Sequence, residues 1–275
     1  MQEEKIKIEN SEEIANIWDK FMKVYQNRIE MNLLNFYFNI LSLCKINEAK
    51  EEDNVLELGL GTGLGFSNLK NLSKAKIYGG DISPEMVKEA QRINPNHEIS
   101  VINNEDLSKF KDNFFRNVFS NYSLHIVENP VNMLKEVKRV LRKDSESKAV
   151  FTVWGRPENY PLFTIIPTVL KECNINLPKV RSPFHLCSKE VMKKICLEAG
   201  FENILMEYTT IILNYFNIND FMFMLDEHPH YKETFKNMDE KLVEEIRNKV
   251  KNLFNYEIEK RGGLLPFEGL IVILN

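Results

Sequence analysis

The stretch NVLELGLGTGLGFSNL, Asn54 to Leu69, joins a short apolar run to glycines at every second position, Gly59, Gly61, Gly63 and Gly65. A short apolar run bounded by glycine predicts a buried strand, and the pattern behind it predicts a helix, so the glycines mark a strand-to-helix turn. At the start of an α/β sheet, that turn is where such folds bind nucleotide-like groups. A glycine cluster by itself is also what a plain flexible turn looks like, so the flanking sequence has to decide.

Downstream, short apolar runs alternate with helical patterns, which predicts βαβ units and a parallel sheet. Strands are expected at Val55 to Leu58, Ala75 to Asp81, around ISVIN, at Asn117 to Leu124 and at Ala149 to Trp154. Ser83 followed by Pro84, and Asn129 followed by Pro130, mark two helix starts, with Met86, Val87, Ala90 and Ile93 on one stripe and Met133, Leu134, Val137, Val140 and Leu141 on another. Residues 11 to 48 read as helices with Ser11 as N-cap, the segment between 155 and 187 as a proline-punctuated insertion with some helix, and Lys189 to Ala199 as a helix closed by Gly200. ENILMEYTTIILNYF predicts one long or two short strands, a second insertion over 219 to 263 carries a helix, and GLIVILN closes the chain as a strand. The organisation expected is a helical cap over 1–49 and an α/β domain over 50–275.

Composition narrows the partners. Hydrophobic residues make up 43% and charged residues 28%, ordinary for a folded globular chain. A net charge of −4 gives no broad basic field, so bulk nucleic-acid binding is not expected and a small-molecule partner fits better. Cys44, Cys173, Cys187 and Cys196 are widely spaced without a CxxC pair, which speaks against zinc and against a disulfide framework; no metal is expected. His228 and His230 lack a partner at ligand spacing. The start, MQEEKIKIEN, has no signal-peptide character, and Asn32 to Cys44, interrupted by Asn35 and Asn39, is shorter than the roughly 18 to 20 residues of a membrane span. A cytoplasmic setting without a membrane span is expected.

The register of the glycines separates the candidate ligands. A triphosphate loop needs Gly-Lys-Ser/Thr, but Gly65 is followed by Phe66; a dinucleotide loop needs GxGxxG, but the sixth position is Leu64 counting from Gly59 and Phe66 counting from Gly61. What stands is Glu57, Gly59, Gly61 and Gly63 in E-x-G-x-G-x-G, with Asp81 ending the second strand. This segment resembles the class I S-adenosylmethionine-dependent methyltransferases of the small-molecule type, similar to the type 11 and quinone-biosynthesis families. IYGGDISPEMVKEA, NNEDLSKF with FFRNVFSNYSLHIVENPVNMLKEVKRVL, and SPFHLCSKEVMKKICLEAGF resemble the family's later segments, so the likeness covers roughly residues 50 to 210 and the last strand.

The resemblance implies a Rossmann-like, seven-stranded, mostly parallel sheet with helices on both faces, and S-adenosyl-L-methionine as cofactor, leaving S-adenosyl-L-homocysteine. It implies cofactor contacts from Glu57, Gly59, Gly61, Gly63, Asp81 to the ribose, Ile82, Asn103, Asn104 and Asn121. The physics agrees: bare glycine backbone admits a close ligand, and a carboxylate suits two hydroxyl donors. Two departures from the family pattern, Asn103 and Arg116 where acids are usual, are placed near the site. Methyl transfer from a sulfonium is an in-line displacement in which a base is optional, and His125 beyond the fourth strand is the candidate base, with packing as its alternative. Tyr25, Tyr122 and Trp154 are candidates for the substrate pocket, with packing as the alternative. The function expected is O-, N- or C-methylation of a small molecule; the alternative is a methyltransferase-like binding or structural subunit.

Overall fold

The computed structural model describes residues 6–175, 180–213, 217–227, 229–236 and 238–275. Helix α1 (Ser11–Val24) begins at Asn10, whose side chain accepts from the Glu13 N–H while the Glu13 carboxylate accepts from the Asn10 N–H, each at 3.0 Å. Asn10 therefore takes the capping role expected of Ser11: three residues on from Asn10 stands an acid able to return the bond, whereas three on from Ser11 stands Ile14. A π-helical turn, Tyr25–Ile29, joins α1 to α2 (Glu30–Leu43), and a 3-10 turn, Ile46–Glu48, ends the helical region.

The sheet starts at β1 (Asn54–Leu58) and alternates with helices through α3 (Leu64–Leu72), β2 (Lys76–Asp81), α4 (Pro84–Ile93), β3 (Glu98–Val101), β4 (Asn117–Asn121), α5 (Pro130–Val140) and β5 (Lys148–Trp154). Ser83 and Asn129 cap α4 and α5 with their side-chain oxygens, and Pro84 and Pro130 stand at the first helical positions, as the sequence predicts. Beyond β5 come α6 (Pro161–Glu172), α7 (Lys189–Glu198), β6 (Ile204–Ile212), α8 (Ile218–Glu227), α9 (Pro229–Phe235), α10 (Glu240–Lys260) and β7 (Pro266–Leu274). Among the described residues, the segment between β6 and β7 thus carries three helices rather than the one read from its periodicity, and β6 is a single long strand.

The strand order is β3-β2-β1-β4-β5-β7-β6. Neighbours up to β5 are parallel, and β7 enters antiparallel between β5 and β6. This is the Rossmann-like α/β architecture expected. Side chains alternate across the sheet: Val55 packs toward Phe36, Ile40 and Phe119 on the α2 side, while Leu56 and Leu58 pack toward Leu134, Val137 and Phe201 on the α5 and α7 side. Glu57 therefore shares the face of Val55 and points toward α2.

Strand β4 ends at Asn121, three residues before the expected Leu124, because Tyr122 turns into the left-handed region at φ +59°. Arg116 corrects a second expectation. It precedes β4, at the end of the sheet opposite the glycine turn, where it lies 3.6 Å from Asp53 and 3.8 Å from Glu146. Asp53 also accepts from Arg142 at 2.7 Å and from the Lys50 N–H at 2.9 Å. Burial alone would raise its carboxyl, but that N–H and the two guanidinium groups hold it below its usual range. Removing Asp53 leaves buried Arg116 only the exposed Glu146 at 3.8 Å as counter-charge. Asp53→Ala is expected to lower the unfolding free energy in urea by about 3 kcal/mol without changing ligand affinity at the other end of the sheet.

Candidate active site

The parallel register sets Glu57 beside Gly79 and Leu58 beside Gly80, so β1 and β2 end together. The chain then folds back over the end of β2: the N–H groups of Gly59 and Leu60 both donate to the Gly80 carbonyl, at 2.8 and 3.1 Å, and the Gly61 N–H donates to Asp81 Oδ2 at 3.0 Å. Asp81 Oδ1 accepts from the Ser83 N–H at 2.9 Å. Gly59 and Gly61 adopt φ +69° and +61°, which a side chain resists. A methyl group at Gly59 would stand 2.5 Å from the Ser123 side chain, and one at Gly61 would stand 3.0 Å from the Tyr25 ring. Gly63 serves packing, with Ala90 of α4 at 2.9 Å from where its methyl group would be.

The N-terminal helices cover this turn. Tyr25 lies over Gly61, and Glu30 reaches Thr62, whose hydroxyl donates to its carboxylate at 2.5 Å. Tyr37 donates to Glu57 at 2.6 Å, Asp19 takes the Ser83 hydroxyl, and Gln26 donates to Glu89 at 2.8 Å. Glu30, Glu57 and Asp81 are all buried, and among the described residues none makes an ion pair with a basic side chain. Burial is the main cause of their raised proton affinities: Asp81 is pushed up to about 6, Glu30 to about 7 and Glu57 to about 8. Burial and the same three carboxyls also push the Tyr25 phenol well up.

Further along the strand ends, Asn103 donates to Ser11 at 3.2 Å and accepts from the Glu105 N–H at 3.0 Å. Asn104 donates to Ser123 at 3.0 Å, leaving its buried Oδ1 without a partner. Ile82 is half-buried directly after Asp81. Asn121 is tied to the sheet and the cap at once, accepting from Thr152 at 2.6 Å and donating to the Leu33 carbonyl at 3.3 Å.

Beyond β4 and β5 the rings of Tyr122 and Trp154 lie 4.4 Å apart, with His125 5.5 Å and Tyr160 5.1 Å from Trp154. Phe163 and Phe267 complete this wall. Burial depresses His125 to about 3, with His185 and Arg181 adding to it, so the ring is neutral. Tyr122 Oη, His125 Nδ1 and His185 Nε2 are buried without partners. The structure thus brings Glu57, the glycines, Asp81 and Tyr25 to one place, and Tyr122, His125 and Trp154 to an adjoining one. It adds Glu30, Thr62, Tyr160 and His185, which sequence spacing did not single out. His228 and the side chain of His230 lie outside the described residues. An open hollow of about 450 Å³ between the end of β6 and α10, lined by Phe254, Ile258 and Leu265, belongs to a different part of the molecule.

Three carboxyls with raised folded values leave a sign on stability. Below about pH 4 each is protonated folded and unfolded alike, and as pH rises through about 6 to 8 the unfolded chain gains by ionising freely. The melting temperature of the protein without ligand is therefore expected to fall between about pH 5 and 8, and to fall less in Glu57→Gln; a flat profile over that window would contradict the buried cluster.

A sequence profile described as a methyltransferase domain matches residues 56–146, the span from β1 through α5. A protein of Methanocaldococcus jannaschii, MJ1123, is 28% identical over 189 residues, 69% of this chain and 82% of that protein. Demethylmenaquinone methyltransferase of Chlorobaculum parvum is 26% identical over 142 residues, 50% of this chain, and the match spans 58% of that enzyme. Among solved structures, the [4+2]-cyclase SpnF superposes with a TM-score of 0.57 over 99% of both chains at 15% identity, a likeness of fold. No helix among the described residues is long and apolar enough to cross a membrane. The matched profile lies on the same turn, strands and helices that the structure gathers around Glu57 and Asp81, and over residues 56–146 the chain is similar to the S-adenosylmethionine-dependent methyltransferases.

Proposed function

We propose that the protein transfers the methyl group of S-adenosylmethionine to a small, uncharged acceptor with a flat, ring-like face. The observation that carries this reading is the aromatic wall beside the glycine turn, with three buried polar atoms left unpartnered on Tyr122, His125 and His185. A buried polar group without a partner costs free energy, which an acceptor bearing hydroxyl or carbonyl groups would recover. Neutral rings, with His125 held uncharged by burial, favour an uncharged guest.

The residues at the turn fit the cofactor. Gly59 and Gly61 present backbone with no side chain in the way, and Asp81 keeps lone pairs for the two ribose hydroxyls beyond those used by the Gly61 and Ser83 N–H groups. Asn104 Oδ1 is a free acceptor suited to the adenine amino group, Ile82 offers it an apolar surface, and Asn103 ties the loop to the start of α1. Asn121 fixes the end of β4 between cap and sheet. The Tyr25 ring covers Gly61, so it would line the methionine end of the cofactor site.

When bound, the cofactor supplies a methyl group on a sulfonium, already activated toward displacement. The chain's part is alignment and exclusion of water. His125, too weakly basic to hold a proton near neutrality, orients a hydroxyl of the acceptor through its ring nitrogen. The four cysteines are free thiols, which supports a reducing, cytoplasmic setting.

Calorimetry with S-adenosylhomocysteine tests the cofactor half. Asp81→Asn is expected to weaken binding by about tenfold to a hundredfold, the scale of a lost hydrogen bond to a charged group. Wild-type affinity should rise with pH through about 6, as Asp81 ionises. No binding by the wild-type protein would refute the reading. For the acceptor half, a panel of neutral hydroxylated aromatics and charged aliphatic amines is incubated with S-adenosylmethionine and read by mass spectrometry. Methylation is expected among the aromatics alone, and His125→Ala should reduce turnover while leaving S-adenosylhomocysteine affinity unchanged.

A further inference from the structure

Glu30 belongs to the N-terminal cap, outside the span matched by the family profile, yet its carboxyl sits inside the glycine turn. It accepts from the Thr62 hydroxyl at 2.5 Å, and the backbone N–H groups of Thr62 and Leu64 beside it favour its charged form. Leu64 opens α3, so Glu30 occupies the position at that helix N-terminus where an anion is favoured. A ligand carboxylate cannot share that position with it. What the turn presents to an amino-acid ligand is therefore a carboxyl group, already fixed and desolvated.

Among the described residues, no basic side chain pairs with Glu30. Tyr25 and Glu57 face it from the π-turn and β1 and Glu89 from α4, while Asp81, with Asp19 beside it, faces Tyr25 and Glu57. The basic side chains nearby are engaged elsewhere: Arg28 pairs with Asp220 at 2.7 Å, and Arg92 with Glu89 at 2.8 Å. Tyr25 and Glu30 are held on one face by the π-turn, whose Glu30 N–H donates to the Tyr25 carbonyl, so both point at the same stretch of the turn.

We propose that Glu30 is a cofactor-binding residue, the anchor for the α-ammonium group at the methionine end of the cofactor. The proposal rests on the reading of the glycine turn as the cofactor site. An ammonium group converts a carboxyl buried at a cost into a charge-assisted pair. Without ligand, burial holds Glu30 near half-protonation at neutral pH, so an arriving ammonium expels a proton, and affinity rises with pH through about 7. Thr62 keeps the carboxyl aimed, acting through Glu30 rather than on the ligand.

Titration calorimetry separates the anchor from a mere fastener of the cap. S-Adenosylhomocysteine carries the ammonium group, whereas 5′-methylthioadenosine lacks the whole amino-acid end. Glu30→Gln, which keeps the length and can still accept from Thr62, is expected to weaken S-adenosylhomocysteine by about tenfold and to leave 5′-methylthioadenosine unchanged. Proton release on binding S-adenosylhomocysteine at pH 7, measured in buffers of different ionisation heat, should shrink in the same variant. Glu30→Asp, which retains the charge, should recover part of the affinity. Equal losses for both ligands, or no loss for either, would overturn the proposal while leaving the cofactor site in place. Failure of the wild-type protein to bind either ligand would remove the cofactor reading and the anchor together.

Discussion

The Gly61 N–H donating to the Asp81 carboxylate joins the ends of two strands that the rest of the site hangs from. Through it the turn after β1 is folded onto the end of β2, and the second carboxylate oxygen fixes the start of α4 through the Ser83 N–H. Each bond to a charged acceptor is worth about 1.5–3 kcal/mol, yet Asp81 is still pushed up to about 6. Burial thus outweighs the backbone donors, and the carboxylate is held where it is by the geometry of the turn rather than by any counter-charge. A group kept charged at such a cost in the absence of a cation is a group with unused capacity to accept hydrogen bonds.

The two ends of the sheet are fastened differently, and the difference bears on motion. At the start of the strands, Asp53 is locked by Arg142 and Arg116, a buried arrangement that is strongly destabilising to break. At the other end one ion pair, Arg28 with Asp220, ties the cap to α8, while over the turn itself carboxyl groups meet neutral donors: Thr62 to Glu30, Tyr37 to Glu57, Ser83 to Asp19, Gln26 to Glu89. Such contacts can be exchanged one at a time for contacts to a ligand. These exchangeable contacts lie at the end where Tyr25 covers Gly61.

Local signals carried most of the fold into the sequence. Ser83-Pro84 and Asn129-Pro130 are helix starts because the cap and the proline act within one turn, and the glycine spacing is visible because the turn is contiguous. The pairing of Tyr25 with Glu30 was not legible for a definite reason. On an α-helix five residues advance about 140° from the same face, whereas the π-turn closes a hydrogen bond over that interval and aligns them. The aromatic wall was half legible: Tyr122 and Trp154 end strands, but Tyr160, Phe163, His185 and Phe267 arrive from separate segments whose order says nothing of their meeting. Arg116 was placed beside the site because it is close to β4 in sequence; a strand has two ends, and Arg116 stands at the wrong one.

The site divides charge between its two halves. The turn gathers Glu30, Glu57 and Asp81 with no bonded basic side chain among the described residues, while beside the rings beyond β4 and β5 a buried acid, Glu268, is paired with Arg156 at 2.7 Å. On the proposed reading, the cationic reagent belongs to the first half and the uncharged acceptor to the second. Transfer of the methyl group removes the sulfonium charge, so the attraction of the acidic half for the spent cofactor falls while its ribose and adenine contacts persist. On that reading, positive charge developing on the acceptor would lie near the rings of Tyr122 and Trp154, and aromatic rings attract cations without binding them as a carboxylate would.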